Sequence, residues 1–191
     1  LYAVKVLGAD GKGSLIDVAL GIYWAADNGM RVANMSLGCD CDASYLRDAV
    51  DYAFQRGVVL VAATGNTGGA VGYPAAYDSV IAVSATNNDD SLAFFSSRGP
   101  KVEVAAPGVN INSTWNDGSY KQLNGTSMAS PEVAGTAALI ISKTPTLNPG
   151  EVRSILENSA TDLGTAGKDD LYGYGLVDAK KSVAISPAPA P

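Results

Sequence analysis

The sequence predicts one α/β domain, a doubly wound, mostly parallel sheet flanked by helices. Three observations carry that prediction. Val58-Val59-Leu60-Val61-Ala62-Ala63 is an apolar run without alternation, as expected of a strand covered on both faces. Such runs alternate with segments whose apolar residues recur at helical spacing, the rhythm of strand–helix–strand crossovers in a parallel sheet. A length of 191 residues, 47% hydrophobic and 17% charged, suits one domain with a sizeable core and is too apolar for a disordered chain.

The elements follow in order. Leu1-Tyr2-Ala3-Val4-Lys5-Val6-Leu7 reads as a buried strand with no Met or charged leader before it, so further sequence is expected upstream. Ser14 caps a helix in which Leu15, Val18, Ala19, Ile22 and Ala26 share a face, and Asn28-Gly29 stops it. Val32–Ser36 is the next strand. Ser44 opens a second helix through Leu46, Ala49, Val50 and Ala53, Gly57 closes it, and the Val58–Ala63 strand follows. Val80–Ser84 is a further strand, with shorter ones expected near Ala93–Ser96 and Val102–Ala105 and a hairpin across Trp115-Asn116-Asp117-Gly118. An Ala-rich helix runs from about Ser127 to Lys143, with Pro131 tolerated only near its start because proline has no N–H. Pro149 begins another helix that ends near Ser159. The last residues, 185–191, read as a Pro/Ala-rich linker or tail.

The net charge of −6 without a basic run argues against nucleic acid or an anionic membrane as the main partner. No apolar stretch approaches the ~18 residues that span a bilayer. The two cysteines, in Cys39-Asp40-Cys41, supply neither the four ligands of a structural zinc site nor C-x-x-C redox spacing. A pair of reduced thiols and a tight local disulfide both fit. The chain contains no histidine.

Chemistry gathers in three segments. Asn124-Gly125-Thr126-Ser127-Met128-Ala129-Ser130-Pro131 turns tightly into a helix whose first turn holds Ser127, where unpaired N–H groups favour developing negative charge. Ala62-Ala63-Thr64-Gly65-Asn66-Thr67-Gly68 lies at the carboxyl end of a parallel strand, where open α/β sheets place ligands. Ser36-Leu37-Gly38 ends the preceding strand. Alone, a serine there is usually a helix cap and an asparagine between glycines a turn residue. The loop Gly8-Ala9-Asp10-Gly11-Lys12-Gly13 fits neither dinucleotide nor P-loop spacing, which disfavours a nucleotide-binding module.

Taken together, the segments resemble the subtilisin-like serine proteases. Gly125-Thr126-Ser127-Met128-Ala129-Ser130-Pro131 resembles the family's nucleophile signature. Asn34-Met35-Ser36-Leu37-Gly38, Ala63-Thr64-Gly65-Asn66, Gly72-Tyr73-Pro74-Ala75, Phe95-Ser96-Ser97-Arg98-Gly99-Pro100 and Ala106-Pro107-Gly108 match it in the same order. The Cys39-Asp40-Cys41 insertion resembles the thermitase-related branch. The resemblance implies that residues 1–184 are the C-terminal portion of a peptidase domain. It implies Ser127 as nucleophile, Asn66 and the Ser127 N–H as oxyanion hole, and Thr126 as its support. Ser36, Leu37 and Gly38 would pair with an extended protein or peptide substrate. Ala63, Thr64, Gly65 and Gly72 would line the primary pocket, and Thr64, where many relatives have Ala, would make it smaller or more polar. Tyr73-Pro74 would be a cis peptide.

The resemblance also implies a secreted protein, with a propeptide or inhibitor as a further peptide partner, in which Cys39 and Cys41 pair as a disulfide. It implies no cofactor for catalysis. A weak structural Ca2+ site would use the carbonyls of Ala75, Tyr77 and Val80 with Glu103. The departures are two. The family's Asp and His precede its Ser, and neither partner is found here, so the missing N-terminal segment of the same domain would have to bring them. Glu132 also stands where a His usually follows the motif's proline. A non-catalytic homologue that only binds extended peptides is the alternative expectation.

Overall fold

The computed structural model describes residues 1–185, so most of the expected Pro/Ala tail lies outside the described residues. Helix α1 (Leu15–Asp27) starts where Ser14 accepts the Asp17 N–H and ends at Asn28, before Gly29 with φ +69°. Strand β1 (Val32–Met35), helix α2 (Ser44–Gln55) and strand β2 (Val59–Ala63) follow, then β3 (Val80–Thr86) and β4 (Val104–Pro107). The four strands form one parallel sheet in the order β1-β2-β3-β4.

Alternate residues of the central strands feed two cores. Val59, Val61, Ile81 and Val83 face one side, against helices α3 (Thr126–Lys143) and α4 (Pro149–Ser159). Leu60, Ala62, Val80 and Ala82 face the other, against α1 and α2. This two-sided covering is the physical reason the strands read as unbroken apolar runs. Between β4 and α3 lies an antiparallel hairpin of β5 (Ile111–Thr114) and β6 (Tyr120–Leu123), turned at Trp115–Ser119.

Several expectations need correction. Leu1–Leu7 forms no strand; Leu1, Tyr2 and Val4 are exposed, and no neighbouring strand among the described residues offers the segment a hydrogen-bonding ladder. Ala93–Ser96 is a turn, closed by the Ser96 N–H on the Ala93 carbonyl, with only a single bridge nearby between Thr86 and Leu92. Helix α2 does open at Ser44, with Ala43 before it as a cap that makes no side-chain bond. A short helix α5 (Ala179–Ala184), capped by Asp178, adds to the expected elements; at six residues it is too short to show a period.

Candidate active site

The carboxyl ends of β1 and β2 and the start of α3 meet at one cleft. Asn66 reaches it because β2 ends in a turn at Gly65, which holds φ +111° and whose Cβ would come 2.9 Å from Ser97 Oγ. The Asn66 amide is oriented by Thr126. Its Oδ1 accepts the Thr126 N–H and the Thr126 hydroxyl, both at 2.9 Å, while Thr126 Oγ1 accepts the Gly65 N–H at 3.2 Å. A backbone N–H can only donate, so the oxygen must face Thr126 and Nδ2 the other way.

Asn66 Nδ2 and the Ser127 nitrogen border one place. A Cβ on Gly125 would lie 3.4 Å from Asn66 Nδ2 and 3.6 Å from the Ser127 nitrogen. Met128 Sδ borders the same place at 3.6 Å, and the absence of a Cβ on Gly125 leaves the space between these atoms open. Ser127, second residue of α3, stands beside it, half-buried, with the positive end of the helix behind it. The arrangement suits an oxygen that gains negative charge.

A cavity of about 320 Å³ opens next to these groups. The structure brings Leu37, Gly38, Ala63, Thr64, Gly65 and Gly72 to its walls, with Asn66, Thr126 and Ser127. The walls are tied together: Cys39 and Tyr73 exchange backbone bonds at 2.9 and 2.8 Å, and the Gly72 N–H donates to the Thr64 carbonyl at 3.0 Å. Tyr73-Pro74 is cis. Ser36 does not line the cavity; its hydroxyl turns to the Ser127 carbonyl at 2.8 Å. The Thr64 hydroxyl is buried without a partner, so Thr64 adds no polar group to the cavity surface. Ser97, Thr67 and Ala70 also line it; the first two lie in segments the sequence singles out without naming them as wall residues, and no pattern marks Ala70. Ser97 belongs to the family-like segment Phe95–Pro100. Its N–H bonds to the Gly65 carbonyl at 2.9 Å and so holds the turn that carries Asn66.

The Ser127 hydroxyl has a single, long hydrogen bond, 3.4 Å to the Ser36 carbonyl. No base among the described residues hydrogen-bonds to it. Glu132, one turn further along α3, is half-buried, and that burial alone raises its carboxyl above the usual carboxylate range.

Two further expectations meet different surroundings. Cys39 and Cys41 are thiols with sulfurs 2.8 Å apart, Cys41 donating to Cys39, in place of the expected disulfide. Both backbone groups of Cys39 bond to Tyr73, which fixes the first cysteine against the loop that carries the cis peptide. Burial, and then the hydrogen bond with Cys41, push the Cys39 thiol up, away from thiolate. Glu103, expected to help hold a cation, instead receives Arg153: Nε lies 2.6 Å from Oε1, and Nη2 donates to the Val80 carbonyl at 2.9 Å. The guanidinium takes both the carboxylate and one of the carbonyls.

With this geometry in place, the comparisons define the class. The profile of the Subtilase family, peptidase S8, matches residues 1–175, and the chain belongs to that family. It is similar to Subtilisin Savinase of Lederbergia lenta, 49% identical over 181 residues that cover 94% of this chain and 66% of the relative. It is also similar to Subtilisin DY of Bacillus licheniformis, 50% identical over 183 residues covering 93% and 66% of the two chains. The chain thus spans 66% of the length of each of these relatives. Among solved structures, a lanthipeptide protease superposes with a TM-score of 0.89 at 27% identity, over 94% of this chain and 69% of that one.

Proposed function

We propose that the chain supplies the nucleophile, the oxyanion hole and the substrate-binding edge of a serine endopeptidase acting on protein or peptide chains. In this reading Ser127 Oγ attacks the scissile carbonyl carbon, and the carbonyl electron pair moves onto oxygen between Asn66 Nδ2 and the Ser127 N–H. The proton of Oγ passes to a histidine which, with its aspartate, belongs to upstream sequence of the same domain. Collapse of the adduct breaks the C–N bond, and the imidazolium gives its proton to the leaving amine. Water then repeats the sequence on the acyl-serine. Backbone of Leu37 and Gly38 pairs with the extended substrate, a mode that reads little side-chain identity.

The observation that supports this reading best is that Asn66 Nδ2 and the Ser127 nitrogen border one open place at Gly125, beside Ser127. Family membership supports peptide substrates and action outside the cell, with a propeptide or inhibitor as a further ligand of the cleft. The lack of histidine within these residues favours one other reading, a homologue that binds peptides without cutting them.

A serine-directed fluorophosphonate separates the two. The 191-residue chain alone neither hydrolyses peptides nor reacts at an enzymatic rate. Joined to its Asp- and His-bearing segment it does both, and Ser127→Ala abolishes both. Peptide binding by the joined protein without labelling overturns the peptidase reading.

A further inference from the structure

In a regular helix the carbonyl of Ser127 accepts the N–H of residue 131. Residue 131 is proline, the sixth residue of α3, and so further inside the helix than its missing N–H makes comfortable. Interior proline costs about 3 kcal/mol, partly through the lost bond and partly because its ring crowds the carbonyl four residues back. That carbonyl is the one on Ser127.

The structure supplies a substitute donor from another element. The Ser36 hydroxyl, 91 residues earlier in the chain, donates to the Ser127 carbonyl at 2.8 Å. Ser36 Oγ in turn accepts from Asn34 Nδ2 at 2.9 Å, and Asn34 Oδ1 accepts the Ser130 hydroxyl at 2.6 Å. A relay of three hydrogen bonds therefore leaves α3 at Ser130, runs along the end of β1, and returns to α3 at Ser127. Its direction is consistent at each step, because the asparagine amide offers oxygen to one serine and nitrogen to the other. Asn34 lies on the edge strand and Ser36 just beyond it, so the relay pins the helix start to the edge proposed to carry substrate.

We infer that Ser36 is a positioning residue, whose hydroxyl replaces the N–H that Pro131 lacks and so fixes the backbone of Ser127. Through that backbone it sets the direction of Oγ and of the N–H that forms half of the oxyanion hole. The inference rests on the peptidase reading for its kinetic consequence, but the hydrogen bond can be read without catalysis. Because the donor is missing only on account of a proline, a second substitution can return it. Pro131→Ala restores a backbone N–H at an exposed position where the smaller side chain meets no obstacle.

The experiment has two arms. In the peptidase joined to its Asp- and His-bearing segment, Ser36→Ala lowers kcat about tenfold with KM little changed, and Ser36→Ala with Pro131→Ala recovers most of the loss. In the same joined protein, isotopically labelled, the carbonyl carbon of Ser127 moves upfield in Ser36→Ala and returns in the double variant. A defect in KM alone, or a kcat unaffected by Ser36→Ala or not recovered by the second change, overturns the inference. If the joined protein does not hydrolyse peptides at all, the peptidase reading fails. The carbonyl shift then decides the positioning claim by itself, moving if it holds and staying still if it does not.

Discussion

At the scale of single residues, the cleft depends on Thr126 more than its buried place suggests. Its hydroxyl both donates to Asn66 and accepts from Gly65, so one oxygen holds the asparagine and the turn that presents it. Thr126→Val keeps the volume and removes both bonds, leaving the Gly65 N–H unpaired. In the joined peptidase it should lower kcat about tenfold with little change in KM, while Thr126→Ser retains most activity; steady-state kinetics on a peptide substrate checks both. In subtilisin, loss of the corresponding asparagine costs about 10²–10³ in rate, and a deficit of that order is expected of Asn66→Ala in the joined peptidase. Ser127, Asn66 and Thr126 are legible in the sequence because their motifs are short and contiguous. The Ser36 hydroxyl is not, since the sequence suggests a backbone role and only the fold brings it to a carbonyl 91 residues away. The pairing of Cys39 with Cys41 follows from the resemblance alone, and the backbone bonds that tie Cys39 to Tyr73 come from a distant loop.

Among the elements, α4 shows how far local signals reach. Asn148 accepts the Glu151 N–H at 3.0 Å, Glu151 returns a carboxylate to the Asn148 N–H at 2.7 Å, and Pro149 occupies the first helical position. Asn148→Ala should cost about 1 kcal/mol, seen as a lower urea midpoint with an unchanged slope. Such caps make α1 and α4 readable from sequence, and the apolar runs do the same for β1, β2 and β3. Where an element depends on what lies beside it, the reading fails. Leu1–Leu7 has the composition of a strand and no strand among the described residues to pair with, and Ala93–Ser96 has β-forming residues bent into a turn.

For the molecule as a whole, Arg153 joins helix layer to sheet. From α4 it reaches Glu103 just before β4, together with the carbonyls of Asp78 and Val80 at the start of β3. Glu103 is 5% exposed, so Arg153→Ala strands a buried carboxylate and should destabilise the fold by about 3–5 kcal/mol in urea unfolding. Replacing the pair together, Arg153→Met with Glu103→Leu, should return stability close to that of the parent. The lock between Asn66 and Thr126 acts across the same layers, and it has a consequence in time. Its partners stand 60 residues apart, on either side of β3, β4 and the hairpin. A contact of that span is made only after the chain between has been gathered, since loop closure must come first. Until then the serine rides on an unanchored helix end with no cradle for an oxyanion. In the proposed peptidase a half-folded chain is therefore harmless to its neighbours, because the cradle for the oxyanion is completed only with the finished fold.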